Sequence, residues 1–307
     1  MAGSSTELRT ALQNGPVVLD GGLGTRLEAR GNDVSSALWS AEILRQQPEE
    51  VRAAHQDFFE AGARVATTCS YQVSYSGFAR VGVETDAVDE LLARSIAVAQ
   101  DARAASGLGP TEAWVMASVG PYGASLGDGS EYTGDYGLSA AELRDWHRRR
   151  LQVLAAAKPD ALLCETIPSL AEVVALREAL SDLATPAILS FTVADGRLRS
   201  GESLVDAVRI AESTPNILAI GVNCSAVADT DRALRIMREA SELPLIAYPN
   251  SGEVWDANAR SWLGSAQSLV AYVPEWLALG VKLIGGCCRV DTGELAEIAA
   301  AATRPRS

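Results

Sequence analysis

The 307-residue chain holds only two histidines, His55 and His147. That scarcity argues against a histidine-based hydrolase and against a Ser/His/Asp triad. Both fall inside expected helices, where they read as helix-face or packing residues. No uninterrupted apolar run approaches the ~20 residues of a membrane helix, and Met1 to Glu7 lacks the basic and apolar regions of a signal peptide. These absences predict a cytoplasmic protein with no membrane partner. Lys and Arg nowhere gather into a nucleic-acid footprint, and the formal net charge is −13. The nearest approach, Arg148, Arg149 and Arg150, is expected on a solvated helix face. The phosphate-binding pattern GxGxxG is missing after the first expected strand, which weakens the case for an open doubly wound sheet.

What the chain does contain is 48% apolar residues, enough for one large core. Short β-branched or apolar runs alternate with longer stretches of helical period, as βα units around a parallel sheet do. Eight such runs are expected as strands: Val17 to Asp20, Arg64 to Cys69, Trp114 to Gly120, Ala161 to Thr166, Ala187 to Thr192, Leu218 to Cys224, Leu245 to Asn250 and Lys282 to Cys287. Helices are expected over Pro48 to Ala61, Asp86 to Ser106, Ala140 to Ala156, Leu170 to Leu183, Ser203 to Ser213, Asp229 to Ser241 and Ser265 to Leu279. Eight repeats without a linker favour a closed (β/α)8 TIM-type barrel, a single domain over 1–307, with 1–14 as an N-terminal extension and 292–307 as a C-terminal helix and tail. The stretch Gly123 to Leu138, rich in Gly, Ser, Asp and Tyr, reads either as a lid or as a surface excursion.

Polar and sulfur residues collect at the expected strand ends, the face where barrels of this kind carry their sites. Five cysteines, an odd number without an export signal, argue against a disulfide framework. Cys287 and Cys288 follow Gly285 and Gly286, and Cys224 ends the sixth strand. Adjacent residues of a regular strand point to opposite faces, so the pair can share one metal only where the strand breaks, which two glycines permit. Three thiolates with an open fourth position describe a catalytic zinc site. A structural or sensory zinc in a non-catalytic protein is the rival reading, a vicinal disulfide another; Cys69 and Cys164, without partners in sequence, read as core filler. Asp20, before Gly21 and Gly22, and Glu165 at the fourth strand end could together hold an amino-acid ammonium, while the glycine N–H groups approach its carboxylate; equally, Asp20 is a turn residue and Glu165 a helix N-terminal charge.

The strings DGGLGTRLEARG (Asp20 to Gly31), LWSA (Leu38 to Ala41), SYQ (Ser70 to Gln72), GPYGASLGDGSEYTGDY (Gly120 to Tyr136), CETIP (Cys164 to Pro168), GVNC (Gly221 to Cys224), YPNSGE (Tyr248 to Glu253) and GGCCR (Gly285 to Arg289) resemble the homocysteine S-methyltransferase family, above all its stand-alone members that use S-methylmethionine. The likeness runs from about Val17 to about Asp291. It implies an eight-stranded barrel with zinc on Cys224, Cys287 and Cys288. L-homocysteine would be held by Asp20 and Glu165 at its ammonium and by the backbone around Gly21 and Gly22 at its carboxylate. Asn250 would contact zinc while the thiol position is empty, and Trp39 and Tyr71 would face the methyl donor. That donor is implied to be a sulfonium, S-methylmethionine or S-adenosylmethionine; betaine or a methylated folate is the alternative.

Overall fold

The computed structural model describes residues 3–34, 38, 40–252, 254–256, 261–263 and 265–304. Eight parallel strands form one sheet: β1 (Val17–Val18), β2 (Val65–Thr67), β3 (Trp114–Val119), β4 (Ala161–Ile167), β5 (Ala187–Phe191), β6 (Ile217–Asn223), β7 (Leu245–Tyr248) and β8 (Val281–Ile284). Each pairs with its sequence neighbour, and β8 pairs with β1. The remaining gap, between β1 and β2, is bridged where the Arg64 N–H donates to the Val18 carbonyl at 2.8 Å. The sheet is therefore a barrel, and the open doubly wound alternative is excluded.

Strand alternation sorts the side chains into two cores. Leu19, Val65, Trp114, Met116, Leu163, Ile188, Ile246 and Leu283 fill the interior, while Val18, Ala66, Val115, Leu162, Leu189, Val222 and Ile284 face outward against the helices. The expected N-terminal extension forms a helix, Gly3–Asn14, whose Leu8 and Leu12 join the interior core. The same parity carries upward to a polar layer. Thr67, Ser118, Glu165, Ser190, Asn223 and Tyr248 continue the inward stripes towards the C-terminal strand ends, and all but Thr67 are buried.

Two expectations on helices need correction. Ser265 to Leu279 is not one helix: a short turn at Val270–Tyr272 precedes a helix over Val273–Ala278. The residues before it are taken up by tertiary bonds, Gln267 N–H to the Ser251 carbonyl and Leu269 N–H to the Glu294 carboxylate, which a continuous helix would forgo. Arg150 is not solvated. On the helix Ala140–Ala156 it shares the inward stripe of Leu143, His147, Leu151 and Leu154, so Arg148 and Arg149 face solvent while Arg150 is 1% exposed. Its guanidinium donates to the Gly120 carbonyl and lies 4.5 Å from the Trp146 ring centre.

Candidate active site

β8 ends at Ile284, and the chain then leaves the sheet in single steps. Gly285 N–H donates to Ala247, Gly286 N–H to Asp20 and Cys287 N–H to Pro249, so Gly285 to Cys287 are laced alternately to the exits of β7 and β1. A Cβ on Gly285 would lie 2.7 Å from the Asp20 carbonyl oxygen, so this close approach requires glycine. The strand break predicted for the adjacent cysteines is thus present. Cys224 follows β6 with a left-handed backbone, φ 46°, and Arg289 after the pair has φ 66°. Such positive φ values in non-glycine residues are costly and gather at functional sites.

The sulfurs of Cys224, Cys287 and Cys288 lie within 4.8 Å of one another. The Cys224 to Cys287 separation is 2.7 Å and that of Cys287 to Cys288 is 4.0 Å. Both exceed the ~2.05 Å of a disulfide, and they bracket the ~3.8 Å edge of a tetrahedral tetrathiolate site with ~2.3 Å metal–sulfur bonds. Hydrogen bonds from the Cys224 and Cys287 thiols hold the Cys288 thiol well below the usual range. Among the described residues, the His, Cys, Asp and Glu side chains able to converge on a metal are these three. Asn250, beyond the intervening strand β7, has a buried Oδ1 with no hydrogen-bond partner. This donor set can hold a metal ion. Cys69 and Cys164 stand apart, buried in the outer core, and burial pushes both thiols up to about 12, as inert filler requires.

Beside the sulfurs lie two buried carboxylates. Asp20 accepts from Thr67 N–H at 2.6 Å and from the Thr67 hydroxyl at 2.8 Å. Burial, the largest influence, and then the charge of Glu165 push it up to about 7. Glu165 is 6% exposed and accepts from the Ser118 hydroxyl and, at 3.0 Å, from the Tyr248 hydroxyl. Burial likewise pushes it to about 7. Its aim comes from an irregularity: register shifts between Cys164 and Ile167, with Thr166 at φ 61°. Asn223 clamps that bulge. Its Oδ1 accepts from Thr166 N–H and the Ser190 hydroxyl, and its Nδ2 donates to the Thr166 hydroxyl, each at 2.8 Å.

The family is decided by the chain's match to the homocysteine S-methyltransferase model over residues 17–302. The chain belongs to the homocysteine S-methyltransferase family. It is similar to homocysteine S-methyltransferase 4 of Zea mays, 43% identical over 305 residues that cover 94% of this chain and 89% of the maize protein. The homocysteine S-methyltransferase of Escherichia coli K12 is 40% identical over 292 residues, covering 92% and 94%. The crystal structure of the Escherichia coli homocysteine methyltransferase in its metallated form has a TM-score of 0.87 at 38% identity, covering 96% of this chain and 99% of that one.

In this member of the homocysteine S-methyltransferase family, Cys224, Cys287, Cys288, Asp20, Glu165 and Asn250 all reach the same end of the barrel. Of the two glycines, Gly22 donates its N–H to the Val290 carbonyl at 3.0 Å. Tyr71 is half-buried beside Thr166 and Cys224, its ring packed over Gly120, where a Cβ would lie 2.8 Å from ring carbons. Trp39 lies outside the described residues. His55 and His147 are buried within helices, as expected; His147 Nε2 sits 2.8 Å from the Glu172 carboxylate, which also accepts from Tyr122 N–H. Sequence reasoning missed Thr67, Ser118, Asn223 and Tyr248. The signal was available as polar residues at inward positions of strands that are otherwise apolar.

Proposed function

We propose that the chain transfers a methyl group from a sulfonium, S-methylmethionine first and S-adenosylmethionine second, to the thiol of L-homocysteine, forming methionine, with zinc held by Cys224, Cys287 and Cys288. The observation that carries this reading is the convergence of three sulfurs, within 4.8 Å, beside two buried carboxylates at one barrel mouth. Zinc bound there would remove the proton of an acceptor thiol that, at an ordinary pKa near 8.5, is only a few per cent ionised at neutral pH. A set of three thiolates suits that ion and leaves its fourth position to substrate.

Asp20 and Glu165 hold the homocysteine ammonium, and their raised pKa values fall because the cation stabilises their ionised forms. The Gly21 backbone receives the carboxylate. Asn250, with its unpartnered buried Oδ1, would offer the zinc an oxygen ligand while no substrate thiol is bound. Tyr71 offers its ring face to the donor cation. As the new carbon–sulfur bond forms, the old one breaks and its electron pair stays on the donor sulfur, which becomes a neutral thioether. The leaving group needs no proton, in keeping with histidines that are buried inside helices. Catalysis then rests on in-line placement of two sulfurs about one methyl carbon.

No helix among the described residues is long and apolar enough to cross a membrane. We place the protein in the cytoplasm, whose reducing conditions keep the three thiols available, and read 1–307 as one homocysteine-binding domain. Methionine formation is expected with S-methylmethionine and homocysteine, lost with a chelator and restored by zinc. Activity that survives complete metal removal, or that requires betaine or a methylated folate, would overturn the reading.

A further inference from the structure

The segment Gly123 to Leu138 is ordered by two short 3-10 turns, Gly123–Ser125 and Ser130–Tyr132, and by the Tyr122 and Tyr136 rings, whose centres are 5.3 Å apart. The second turn carries Glu131 and Tyr132 to the cysteine cluster. Tyr132 feels the charges of Cys224, Cys287 and Cys288, Glu131 feels that of Cys224, and Tyr71 feels both Glu131 and Tyr132. The Arg199 guanidinium lies 5.6 Å from the Tyr132 ring centre, with its Nε 3.5 Å from the Thr192 hydroxyl.

Glu131 is the anomaly of this group. Its Oε2 is buried and has no hydrogen-bond partner, and among the described residues it forms no ion pair. It is not one of the side chains that converge on the metal position. Glu131 is half-buried and its carboxylate accepts from its own backbone N–H, but a buried Oε2 left without a partner is costly, and such an atom in a folded protein points to a ligand. Neither the metal nor the homocysteine ammonium answers it, since three thiolates meet one and Asp20 with Glu165 meet the other. The cation left over in the reaction is the donor.

We propose that Glu131 binds the positive charge of the methyl donor, which makes the Gly123 to Leu138 loop the element that selects sulfonium over neutral donors. This rests on the reading of the function given above. Tyr71 and Tyr132 supply ring faces to the same cation. The donor sulfur still carries much of its positive charge at the transition state, so the contact is largely kept there and Glu131 acts mainly on donor affinity, with little effect on the rate of the bound complex. It also has no hold on the neutral product, which favours release.

The test is Glu131→Gln, which keeps the shape and removes the charge. The donor KM is expected to rise about tenfold with kcat within about twofold, while the homocysteine KM and zinc content stay as they were. Calorimetry adds a readout independent of turnover: the unaltered protein should bind S-methylmethionine about tenfold more tightly than methionine, and the variant should show no preference. An unchanged donor KM, or an unchanged preference, in a variant that keeps its zinc would overturn the assignment. A protein that binds homocysteine but uses no sulfonium at all would overturn the donor reading itself, which separates the two failures.

Discussion

Replacing any one of Cys224, Cys287 or Cys288 by serine is expected to lower turnover at least about 1000-fold and to strip the metal, with the barrel still folded. About 30-fold follows from returning the acceptor to an ordinary thiol at neutral pH. The remainder follows from losing the fixed position of the nucleophile relative to the methyl carbon. The fold should survive because all three sulfurs lie beyond the strand ends. Beneath them lies the interior of Leu19, Met116, Leu163, Ile246 and Leu283, against which Cys287 packs only from its edge, and serine is close to cysteine in size. Metal analysis, circular dichroism and steady-state rates on the three variants check this together. A zinc that served only the architecture would give the opposite pattern, unfolding each variant.

Glu165→Gln is expected to weaken homocysteine use about 100-fold, chiefly through KM, while making the ligand-free protein more stable at pH 8. The first effect follows from leaving a buried ammonium without one of its two counter-ions. The second follows from the cost of ionising Glu165 in its own pocket. A buried acid raised from 4.5 to about 7 keeps a proton that the unfolded chain has already released, so stability falls as pH rises between those values. Above pH 7 the full penalty stands, about 3 kcal/mol, and glutamine does not incur it. The Tyr248 hydroxyl, 3.0 Å away, can turn to accept from the new amide. Thermal unfolding at pH 5 and pH 8 should therefore show a gain at pH 8 and little change at pH 5. Equal shifts at both would mean that Glu165 is not held as a strained acid.

The cysteine cluster was legible because adjacent cysteines after two glycines have no place in a regular strand, and the structure breaks β8 before them. The eight strands were legible from their apolar runs, although their ends ran short of expectation, β1 closing at Val18 and β7 at Tyr248. Beyond Tyr248 the backbone bonds to neighbouring loops, Asn250 N–H to Ser225 and Cys287 N–H to Pro249, which local pattern does not encode. Arg150 was misplaced because three consecutive arginines were read as one patch, whereas a helix turns them to different faces. Glu131 and Tyr132 were hidden for a deeper reason. Nothing in a Gly- and Ser-rich stretch tells how far a loop folds back over the barrel; that depends on contacts such as Gly134 against Pro168.

Zinc K-edge absorption on the reconstituted protein tests the central claim most directly. Three sulfur neighbours and one lighter atom are expected in the free enzyme, rising to four sulfurs when homocysteine is added. Sulfur coordination that does not change on adding homocysteine would contradict the account.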